Sequence, residues 1–358
     1  MTKRIALIQL GLGGVGRALV RQILAQRSYH AQRLGLSLRY IALADRDGIV
    51  INKDGLSDEF LTEIVEAKAQ GARLRALPQG RLWDSSPEIL EELFEPDTIV
   101  VDVTATEATV PVLRAACARG LGIVLANKLP LAGPYELFRE LTANPKARFE
   151  TTVGGALPII VTIRAFLLDT GDAVQKIRGC LSGTLNMLCE RLEQGQRFSQ
   201  IVREARARGR TEPDPREDLS GRDAARKALI LARLLGYPLE FADVSRESLY
   251  PPEWDALSVE DFLARLSEHD ARWAELSRDV QARGERLRYV VEVTEGRCQA
   301  RLERLKSDDE LVRPGGADSV VAVQTARYRE SSLIIRGKGS GPELTASGVL
   351  ADILILAR

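Results

Sequence analysis

The hydrophobic pattern of the first 150 residues alternates between short β-rich runs and amphipathic helical stretches. The β-rich runs are RIALIQL, RYIALAD, TIVVDVT and GIVLAN, and segments such as VGRALVRQILAQR and TVPVLRAACARG connect them. Alternation of this kind is typical of a parallel, doubly wound α/β sheet with helices on both faces. We therefore predict an α/β domain whose first strand begins near Arg4.

The pattern changes after about residue 150, where helical stretches become longer. Helices are predicted for residues 157–169, 185–194, 199–208, 222–235 and 259–283. The later runs LRYVVEVT, CQARLERL, SVVAVQTA and SLIIRG are typical of antiparallel strands, and a glycine loop and one helix end the chain. We predict an α+β domain of residues 151–336, inserted into a first domain formed by 1–150 and 337–358.

Length and charge agree with a two-domain protein that binds a small molecule. A chain of 358 residues is too long for one ordinary core. Hydrophobic residues at 45% and charged residues at 28% are typical of a soluble globular protein. Because 50 basic side chains balance 50 acidic ones, no net charge favours nucleic acid or an anionic membrane. A small neutral or zwitterionic partner is expected instead.

The cysteines and the N-terminus indicate a cytoplasmic protein. The cysteines are Cys117, Cys180, Cys189 and Cys298, and their wide spacing without a CxxC pair argues against a disulfide framework or a structural metal. MTKRIALIQLGLGG has no signal-peptide cleavage site, and LPIIVTIRAFLL is interrupted by Arg164, so we expect no membrane span. His30 and His269 are predicted to be surface histidines.

The run IQLGLGGVGRALV contains Gly11, Gly13 and Gly16 in GxGxxG order between a strand and a helix. In a Rossmann-type fold the first glycine permits the tight turn, and the second lets a pyrophosphate approach the backbone. The third lets helix and strand pack closely. The alternative is a glycine turn that binds no nucleotide. The context after a strand favours dinucleotide binding at the helix N-terminus.

Ligands of open α/β sheets bind beyond the carboxyl ends of the strands, so the residues there are candidates for cofactor contacts. Asp45 would accept the ribose 2'-hydroxyl of NAD, whereas Arg46 would hold the 2'-phosphate of NADP, and both cofactors stay open. Further strand-end candidates are Thr104, Ala105, Asn127 and Lys128. A lysine at such a position is otherwise a solvated loop residue.

The predicted helix of 222–235 carries charges on two different faces when it is placed on a wheel of about 100° per residue. One arc, predicted to be solvated, contains Arg222, Arg226 and Arg233. Asp223 and Lys227 instead fall in the apolar stripe of Ile230, Leu231 and Leu234. Charges on a core-facing side are costly unless they pair or line a polar cavity, so this pair predicts a buried ion pair or a ligand site.

A capping box, with Ser220 as the N-cap and Asp223 as its N3 partner, is the alternative explanation of the acidic residue. It accounts for Asp223 but not for Lys227. Glu212, held by a turn with Pro213 and Pro215, is a third charged candidate. Two anions and one cation suit an amino acid that carries one more reactive oxygen.

Six segments in order resemble the homoserine dehydrogenase family over nearly the whole chain. They are GLGGVG, ANK at 126–128, ETTVGGALPII at 150–160, LSGTLN at 181–186, TEPDPREDLSGRDAARK at 211–227 and TASGVLADIL near the C-terminus. The resemblance implies NAD(P)-dependent interconversion of L-homoserine and L-aspartate 4-semialdehyde, for threonine, methionine and isoleucine biosynthesis. It also implies a homodimer joined through a sheet of the second domain. Because the chain stops after LILAR, we expect a monofunctional form without a C-terminal ACT domain and its threonine feedback.

The resemblance also implies residue roles. Glu212, Asp223, Thr184 and Gly183 would bind the substrate, and Lys227 and Lys128 would transfer the proton. A neighbouring cation and burial lower the pKa of a lysine, so two close lysines would favour one neutral member. The implied cofactor residues are Gly11, Gly13, Gly14, Val15, Gly16, Asp45, Arg46, Thr104, Ala105, Lys128 and Gly341. The implied sodium ligands are Glu150, Val153, Gly155 and Leu157; oxygen ligands from a glycine-rich turn suit a hard cation.

One residue departs from the family pattern. Family members usually carry tyrosine where this chain has Arg210, which adds a cation near the substrate.

Three alternative functions are considered. They are an amino-acid dehydrogenase such as aspartate dehydrogenase, aspartate-semialdehyde dehydrogenase, and a catalytically silent nucleotide-sensing regulator. The second requires a nucleophilic cysteine, but Cys117 lies in an ordinary helix. A sensor would not require both Lys128 and Lys227.

Overall fold

The computed structural model describes residues 2–209, 211, 214–312 and 318–358. The expectations for Arg210 and Glu212 therefore lie outside the described residues. The chain folds into two compact units, Met1–Ala156 with Ser340–Arg358, and Leu157–Gly339. Among the residues that the structure describes, no helix combines the length and the apolar character that a membrane crossing requires.

The strands and helices follow one another along the chain as follows. The strands are β1 (Lys3–Leu10), β2 (Leu36–Asp45), β3 (Gly48–Ile51), β4 (Thr98–Asp102), β5 (Gly122–Leu125), β6 (Ala147–Arg148), β7 (Val174–Cys180), β8 (Ser245–Arg246), β9 (Glu285–Thr294), β10 (Arg297–Lys306), β11 (Ser319–Thr325) and β12 (Leu333–Gly337). The helices are α1 (Gly14–Tyr29), α2 (Asp58–Ala69), α3 (Glu88–Glu91), α4 (Val110–Ala118), α5 (Leu129–Ala132), α6 (Tyr135–Thr142), α7 (Ile159–Val161), α8 (Gly183–Glu193), α9 (Phe198–Ala207), α10 (Arg216–Leu219), α11 (Arg222–Leu234), α12 (Val259–Arg265), α13 (Asp270–Ala282) and α14 (Pro342–Ala357).

The sheet of the first unit has the order β3-β2-β1-β4-β5-β6, and its strands are parallel except for the antiparallel pair β2 and β3. Residues Ile5 to Leu10 of β1 are all buried, as expected for a strand covered on both faces. The chain order reverses between β1 and β4, so the carboxyl ends of these strands form the topological switch point where ligands bind. The predicted Rossmann-type sheet is confirmed. The β2–β3 hairpin is an addition that the sequence pattern did not predict.

The sheet of the second unit has the order β12-β11-β7-β9-β10-β8 and is antiparallel except where β8 pairs with β10. Four of its strands correspond to the predicted runs, which confirms the α+β character of this unit. Strand β7 was not predicted, because its VQKIRGC sequence carries charged side chains at Lys176 and Arg178. Helices α8 and α13 pack on the face that carries Leu287 of β9. Side chains of successive strand residues point to opposite faces, so Val290 and Glu292 lie on the other face.

One predicted helix and one predicted surface residue differ from the structure. The stretch 259–283 forms α12, a 3-10 turn at Leu266–His269, and α13, rather than one helix. Asp270 begins α13, and its carboxylate accepts hydrogen bonds from the Ser199 backbone N–H and hydroxyl, both at 2.8 Å. These tertiary hydrogen bonds lie at the point where the predicted helix of 259–283 is divided. His30 is buried, and burial lowers its pKa, so its predicted surface position is wrong.

Candidate functional site

The glycine turn between β1 and α1 has room for a ligand at one glycine and none at the two others. A Cβ at Gly11, where φ is +107°, would lie 2.9 Å from the Val103 carbonyl oxygen. A Cβ at Gly16 would lie 2.1 Å from the Gly11 carbonyl oxygen. At Gly13, the N-cap of α1, no heavy atom of the described residues lies within 4 Å of that position, apart from Gly13 itself and its chain neighbours. Gly13 therefore leaves the backbone open at a helix N-terminus, where a phosphate binds well.

A buried glutamine that the sequence analysis did not single out holds this turn in place. Gln9 is fully buried, and its Nε2 donates to the carbonyl oxygens of Gly11 at 2.9 Å and Gly16 at 3.1 Å. Its Oε1 accepts a hydrogen bond of 2.9 Å from the Tyr40 hydroxyl of β2. Burial raises the pKa of Tyr40 well above its usual range, so this hydroxyl stays a donor. In the sequence, the one sign of this role is that Gln9 is a polar residue inside the apolar run RIALIQL.

The glycine turn and the start of the last helix come together in the first unit. A Cβ at Gly14 would lie 3.2 Å from Cγ of Pro342, the first residue of α14. Gly341, the N-cap of α14, is exposed and has a φ of +118°, and Val15 is half-buried. Two segments implied in cofactor binding, which come from opposite ends of the sequence, are thus neighbours in the fold.

At the end of β2 the acidic candidate is engaged and the basic candidate is exposed. Asp45 Oδ1 accepts hydrogen bonds from the backbone N–H groups of Asp47 at 2.8 Å and Gly48 at 3.1 Å, which forms the hairpin turn. Its Oδ2 lies 2.6 Å from Lys68 Nζ, and both side chains are largely buried. The Arg46 side chain is 92% exposed and lies 3.9 Å from the Asp47 carboxylate. The structure therefore leaves a guanidinium, rather than a carboxylate, available beyond β2.

The carboxyl ends of β4 and β5 are joined by one buried carboxylate, Asp102. Its Oδ1 accepts hydrogen bonds from the Thr104 N–H at 2.9 Å and the Thr104 hydroxyl at 2.7 Å. Its Oδ2 accepts from the Thr109 hydroxyl at 2.7 Å and from Asn127 Nδ2 at 3.0 Å. Burial raises the pKa of Asp102, although these hydrogen bonds oppose the shift. The structure thus brings the candidates Thr104 and Asn127 together, with Ala105 exposed and Lys128 half-buried next to them in sequence.

The implied sodium loop contains a buried carboxylate next to α14. Glu150 begins a 3-10 turn, Glu150–Thr152, and its backbone N–H donates to Asp352 Oδ2 at 3.0 Å. Val153 is buried, and Gly155 has a φ of +60°. A Cβ at Gly348 of α14 would lie 2.6 Å from Cγ2 of Thr151, so the helix packs closely on this loop. Leu157, the fourth implied ligand, falls in the second unit.

In the second unit the two charges of the apolar stripe form an ion pair. Lys227 Nζ lies 2.6 Å from Asp223 Oδ2 and donates a hydrogen bond of 2.8 Å to the Leu181 carbonyl. The side chain of Lys227 is 14% exposed and that of Asp223 is 33% exposed. Leu181 precedes α8, whose first residues are the substrate candidates Gly183 and Thr184. The structure therefore joins two of the predicted segments at one lysine.

The capping-box alternative for Asp223 is wrong. The N-cap of α11 is Gly221, with a φ of +72°, so Ser220 does not occupy the N-cap position. A Cβ at Gly221 would lie 2.0 Å from the Tyr289 hydroxyl, which explains the glycine at this position. Asp223 is placed in the first turn of α11 and pairs with Lys227 one turn later.

The predicted solvated arc of arginines is correct in part. Arg222 and Arg226 are partly exposed, but Arg233 is 2% exposed. Its Nε donates to the Leu239 carbonyl at 2.9 Å, and its Nη2 lies 3.2 Å from Glu240 Oε2. The segment that follows α11 covers the Arg233 guanidinium and supplies its hydrogen-bond acceptors. A helical wheel does not predict this burial, because it shows only the residues of the helix itself.

None of the four cysteines, all of which lie in the described part of the chain, forms a disulfide. Burial raises the pKa of the Cys117 thiol, and it raises the pKa of Cys180, Cys189 and Cys298 to about 12. A reactive cysteine requires a lowered pKa. The structure therefore supplies no support for the cysteine-dependent alternative.

The fold and the open glycine turn define a Rossmann-type dinucleotide-binding protein. Comparison with known proteins identifies the family. The homoserine dehydrogenase family model matches residues 158–354, and the model of the homoserine dehydrogenase NAD binding domain matches residues 11–151. The chain belongs to the homoserine dehydrogenase family, which confirms the resemblance of the six segments.

Individual relatives agree with this assignment. The chain is 34% identical over 356 residues to bifunctional aspartokinase/homoserine dehydrogenase 1 of Zea mays, covering 97% of this chain and 38% of the relative. It is 34% identical over 275 residues to homoserine dehydrogenase of Emericella nidulans, covering 72% of this chain and 74% of the relative. The structure of a hyperthermophilic archaeal homoserine dehydrogenase in complex with NADPH superposes with a TM-score of 0.75 at 26% identity, covering 98% and 96% of the two chains. The chain thus spans about two fifths of the length of the bifunctional relative that it matches.

Proposed function

We propose that this chain catalyses the NAD(P)-dependent interconversion of L-homoserine and L-aspartate 4-semialdehyde. The observation that carries the proposal is the position of Lys227, which is held between Asp223 Oδ2 at 2.6 Å and the Leu181 carbonyl at 2.8 Å. A lysine held by two oxygens is well placed to keep and deliver a proton. Family membership and the open glycine turn at Gly13 supply the substrate class and the cofactor class.

Lys227 is the proposed acid and base of the reaction. When bound, the reduced nicotinamide supplies a hydride to the aldehyde carbon. The carbonyl oxygen then becomes an alkoxide, and the ammonium of Lys227 gives it a proton. In the oxidising direction the neutral amine takes that proton back. Lys128, at the carboxyl end of β5, is the second proposed proton-transfer group, as the resemblance implies.

Substrate binding is assigned to the segments around Lys227. Gly183 and Thr184 begin α8, and Leu181, whose carbonyl holds the lysine, lies two residues before Gly183. A helix N-terminus and a hydroxyl suit a carboxylate or alkoxide oxygen. Asp223, one third exposed, suits the ammonium of an amino-acid substrate. Glu212 is proposed for the same ammonium on the resemblance alone, since it lies outside the described residues.

We further propose that the cofactor is NADP in preference to NAD. Asp45 is engaged by Lys68 and by two turn N–H groups, so it is a poor acceptor for a ribose 2'-hydroxyl. Arg46 is exposed and suits a dianionic 2'-phosphate. A relative with NADPH bound is consistent with this preference.

A monovalent cation, sodium by resemblance, is proposed at the loop that follows β6. The donor set fits a hard cation, because Glu150 contributes a buried carboxylate and the backbone at Gly154 and Gly155 has positive φ values that redirect carbonyl groups. The buried hydroxyl oxygen of Thr151, next to Glu150, has no hydrogen-bond partner among the described residues, so it is a further oxygen donor in this loop. The proposed ligands are Glu150 and the carbonyls of Val153, Gly155 and Leu157. A higher unfolding temperature in sodium chloride than in choline chloride, lost in Glu150→Gln, is the expected result.

A homodimer joined through the sheet of the second unit is proposed because the resemblance to homoserine dehydrogenases implies it. On the sheet face opposite α8 and α13, Val290, Val320 and Ala322 are already buried within the chain, in one apolar cluster with Leu311 and Val312. The edge of that face at β12 is exposed. Ile334 of β12 pairs with Ala322 on that face and is 39% exposed. We expect Ile334→Asp to lower the mass measured by light scattering from dimer to monomer. Leu82→Asp, an equally severe change at a 67% exposed residue of the first unit, is the control that stays dimeric.

The decisive test of the proposed reaction is to mix the purified protein with L-aspartate 4-semialdehyde and NADPH or NADH. Loss of the absorbance of the reduced nicotinamide, dependent on the semialdehyde, is the expected result, and it is expected to be faster with NADPH. No oxidation with either cofactor would rule out the proposed reaction. Oxaloacetate with ammonia, offered in a parallel assay, tests the aspartate dehydrogenase alternative.

A further inference from the structure

The carboxylate of Asp102 and the amide of Asn127 form a buried cluster that lies directly against the backbone of Lys128. Asp102 is 0% exposed and Asn127 is 1% exposed. They come from the carboxyl ends of adjacent parallel strands, and the backbone joins them as well, because the N–H of Ala126 donates to the Asp102 carbonyl at 2.8 Å. The cluster therefore fixes the end of β5 against the end of β4.

Every polar atom of the Asn127 side chain is used. Its Nδ2 lies 3.0 Å from Asp102 Oδ2, 3.1 Å from the Thr104 hydroxyl and 2.7 Å from the Thr106 carbonyl. Its Oδ1 accepts a hydrogen bond of 3.1 Å from the Leu129 N–H. This last bond spans Lys128 as an Asx turn, in which the side chain of one residue binds the backbone two residues later.

The backbone of Lys128 is held from its other side as well. Lys128 is the N-cap of α5, with φ −78° and ψ −25°, and its carbonyl accepts from the N–H groups of Leu131 at 3.1 Å and Ala132 at 2.9 Å. A lysine side chain has four rotatable bonds, so its reach is set by where the backbone directs Cβ. Displacement of a reacting group by about 1 Å costs on the order of 100-fold in rate.

We propose that Asp102 and Asn127 are positioning residues that direct Lys128 into the reaction. The inference rests on the proposed function, in which Lys128 transfers a proton. Asp102 orients the Asn127 amide, and Asn127 fixes the turn that carries Lys128. A purely structural role, in which the cluster only stabilises the ends of β4 and β5, makes a different prediction: loss of stability without a specific loss at Lys128.

The chain offers a matched control for Asn127 at Asn144. Asn144 is also buried, donates from Nδ2 to the Leu121 carbonyl at 2.8 Å, and forms an Asx turn by accepting from the Lys146 N–H at 2.9 Å. It precedes β6 and binds the backbone just before β5, at the amino ends of the strands. Asn144→Ala therefore removes the same kinds of hydrogen bonds from the same unit without touching Lys128.

The experiment is a double-mutant cycle on kcat for NADPH-dependent semialdehyde reduction, with the unfolding temperature measured in parallel. Asn127→Ala is expected to lower kcat by about 10- to 100-fold and to change the KM for NADPH by less than about threefold. Asn144→Ala is expected to lower the unfolding temperature similarly and to keep kcat within about twofold. Because Asn127 acts through Lys128, adding Asn127→Ala to Lys128→Ala is expected to cost no more than Lys128→Ala alone.

Two more conservative variants test the inference even if Asn127→Ala does not fold. Asn127→Ser keeps a weaker acceptor for the Leu129 N–H and is expected to retain more activity than Asn127→Ala. Asp102→Asn keeps the shape of the buried side chain and is expected to lower kcat in the same non-additive way. Additive losses in the double mutant, or equal kcat losses in the Asn127 and Asn144 variants, would overturn the inference while leaving the proposed function intact. If the wild type is active but Lys128→Ala keeps its full kcat, the inference is overturned as well. If the wild type is inactive, both the inference and the proposed function are overturned.

Discussion

Lys227 Nζ and Asp223 Oδ2 lie 2.6 Å apart, one helical turn from each other, on the half-buried face of α11. An ion pair in that position is costly to desolvate and contributes little to stability compared with well-packed apolar side chains. The Leu181 carbonyl adds a second oxygen contact to Lys227 Nζ at 2.8 Å, which draws the lysine toward the start of α8. The arrangement is better explained as a site than as a stabilising contact.

The first prediction is that Lys227→Ala lowers kcat by about 100- to 10,000-fold while the protein stays folded. The reason is that the variant removes the group that exchanges a proton with the substrate oxygen. Steady-state rates with the semialdehyde and NADPH, together with the circular dichroism spectrum, check this. Arg226→Ala, the preceding residue on the same helix, is the control and is expected to keep kcat within about threefold. Wild-type turnover in Lys227→Ala would move the acid and base role to Lys128.

The second prediction separates two glycines of the same turn. Gly13 has open space at its Cβ position, whereas a Cβ at Gly16 would lie 2.1 Å from the Gly11 carbonyl oxygen. Gly13→Ala is therefore expected to keep the unfolding temperature but to weaken NADPH binding, because a methyl group enters the space of the phosphates. Gly16→Ala is expected to lower the free energy of unfolding by about 1–3 kcal/mol. Cofactor fluorescence titration and thermal unfolding measure the two effects, and a reversed pattern would contradict the assigned roles.

The sequence predicted those parts of the site that depend on local pattern. The glycine turn follows from spacing alone, and the pairing of Asp223 with Lys227 follows from their four-residue separation on a helix. The hydrogen bond from Lys227 to the Leu181 carbonyl, 46 residues earlier in the chain, was not predicted, because it depends on how α8 and α11 pack.

Supporting residues were missed for the same physical reason. Gln9 and Asp102 stand inside apolar runs, where a polar residue is a signal that a buried hydrogen bond exists. Their partners lie far away in sequence: Tyr40 is 31 residues from Gln9, and Asn127 is 25 residues from Asp102. Parallel strand pairing brings these partners together, and an amphipathic pattern does not identify pairing. Arg233 was misassigned because its acceptors, at Leu239 and Glu240, belong to chain beyond the helix.

The third prediction concerns cofactor choice. Arg46→Ala is expected to lower kcat/KM for NADPH by about tenfold or more and to leave kcat/KM for NADH nearly unchanged, because only NADPH carries the 2'-phosphate. Steady-state kinetics with both cofactors measure the ratio. Arg33→Ala, at an exposed arginine of the same unit before β2, is the control. Equal losses with both cofactors would show that Arg46 acts on the fold rather than on the phosphate.

The last prediction uses a buried carboxylate of the second sheet. Glu292 is 6% exposed, and burial by itself raises its pKa. Lys176 lies 2.9 Å from its carboxylate, and Arg178 and Arg297 each lie 3.7 Å away. Together these cations outweigh burial and hold the pKa of Glu292 below its ordinary value. A lowered folded-state pKa stabilises the protein above the ordinary pKa, and that contribution is lost as the pH falls through the lowered value. Glu292→Gln is therefore expected to cost about 1.5–3 kcal/mol at pH 7 and progressively less below about pH 4.5.

Thermal unfolding of both proteins across this pH range measures the Glu292 contribution. The difference between their unfolding temperatures is expected to be full at neutral pH and to shrink toward zero in acid. Glu295→Gln, at an exposed residue between β9 and β10, is the matched control and is expected to show no pH-dependent difference. If the difference in unfolding temperature stays constant down to about pH 3, Glu292 acts through packing and its hydrogen bond with Gln299 rather than through its charge. The reason is that only the charge of Glu292 changes with pH in this range.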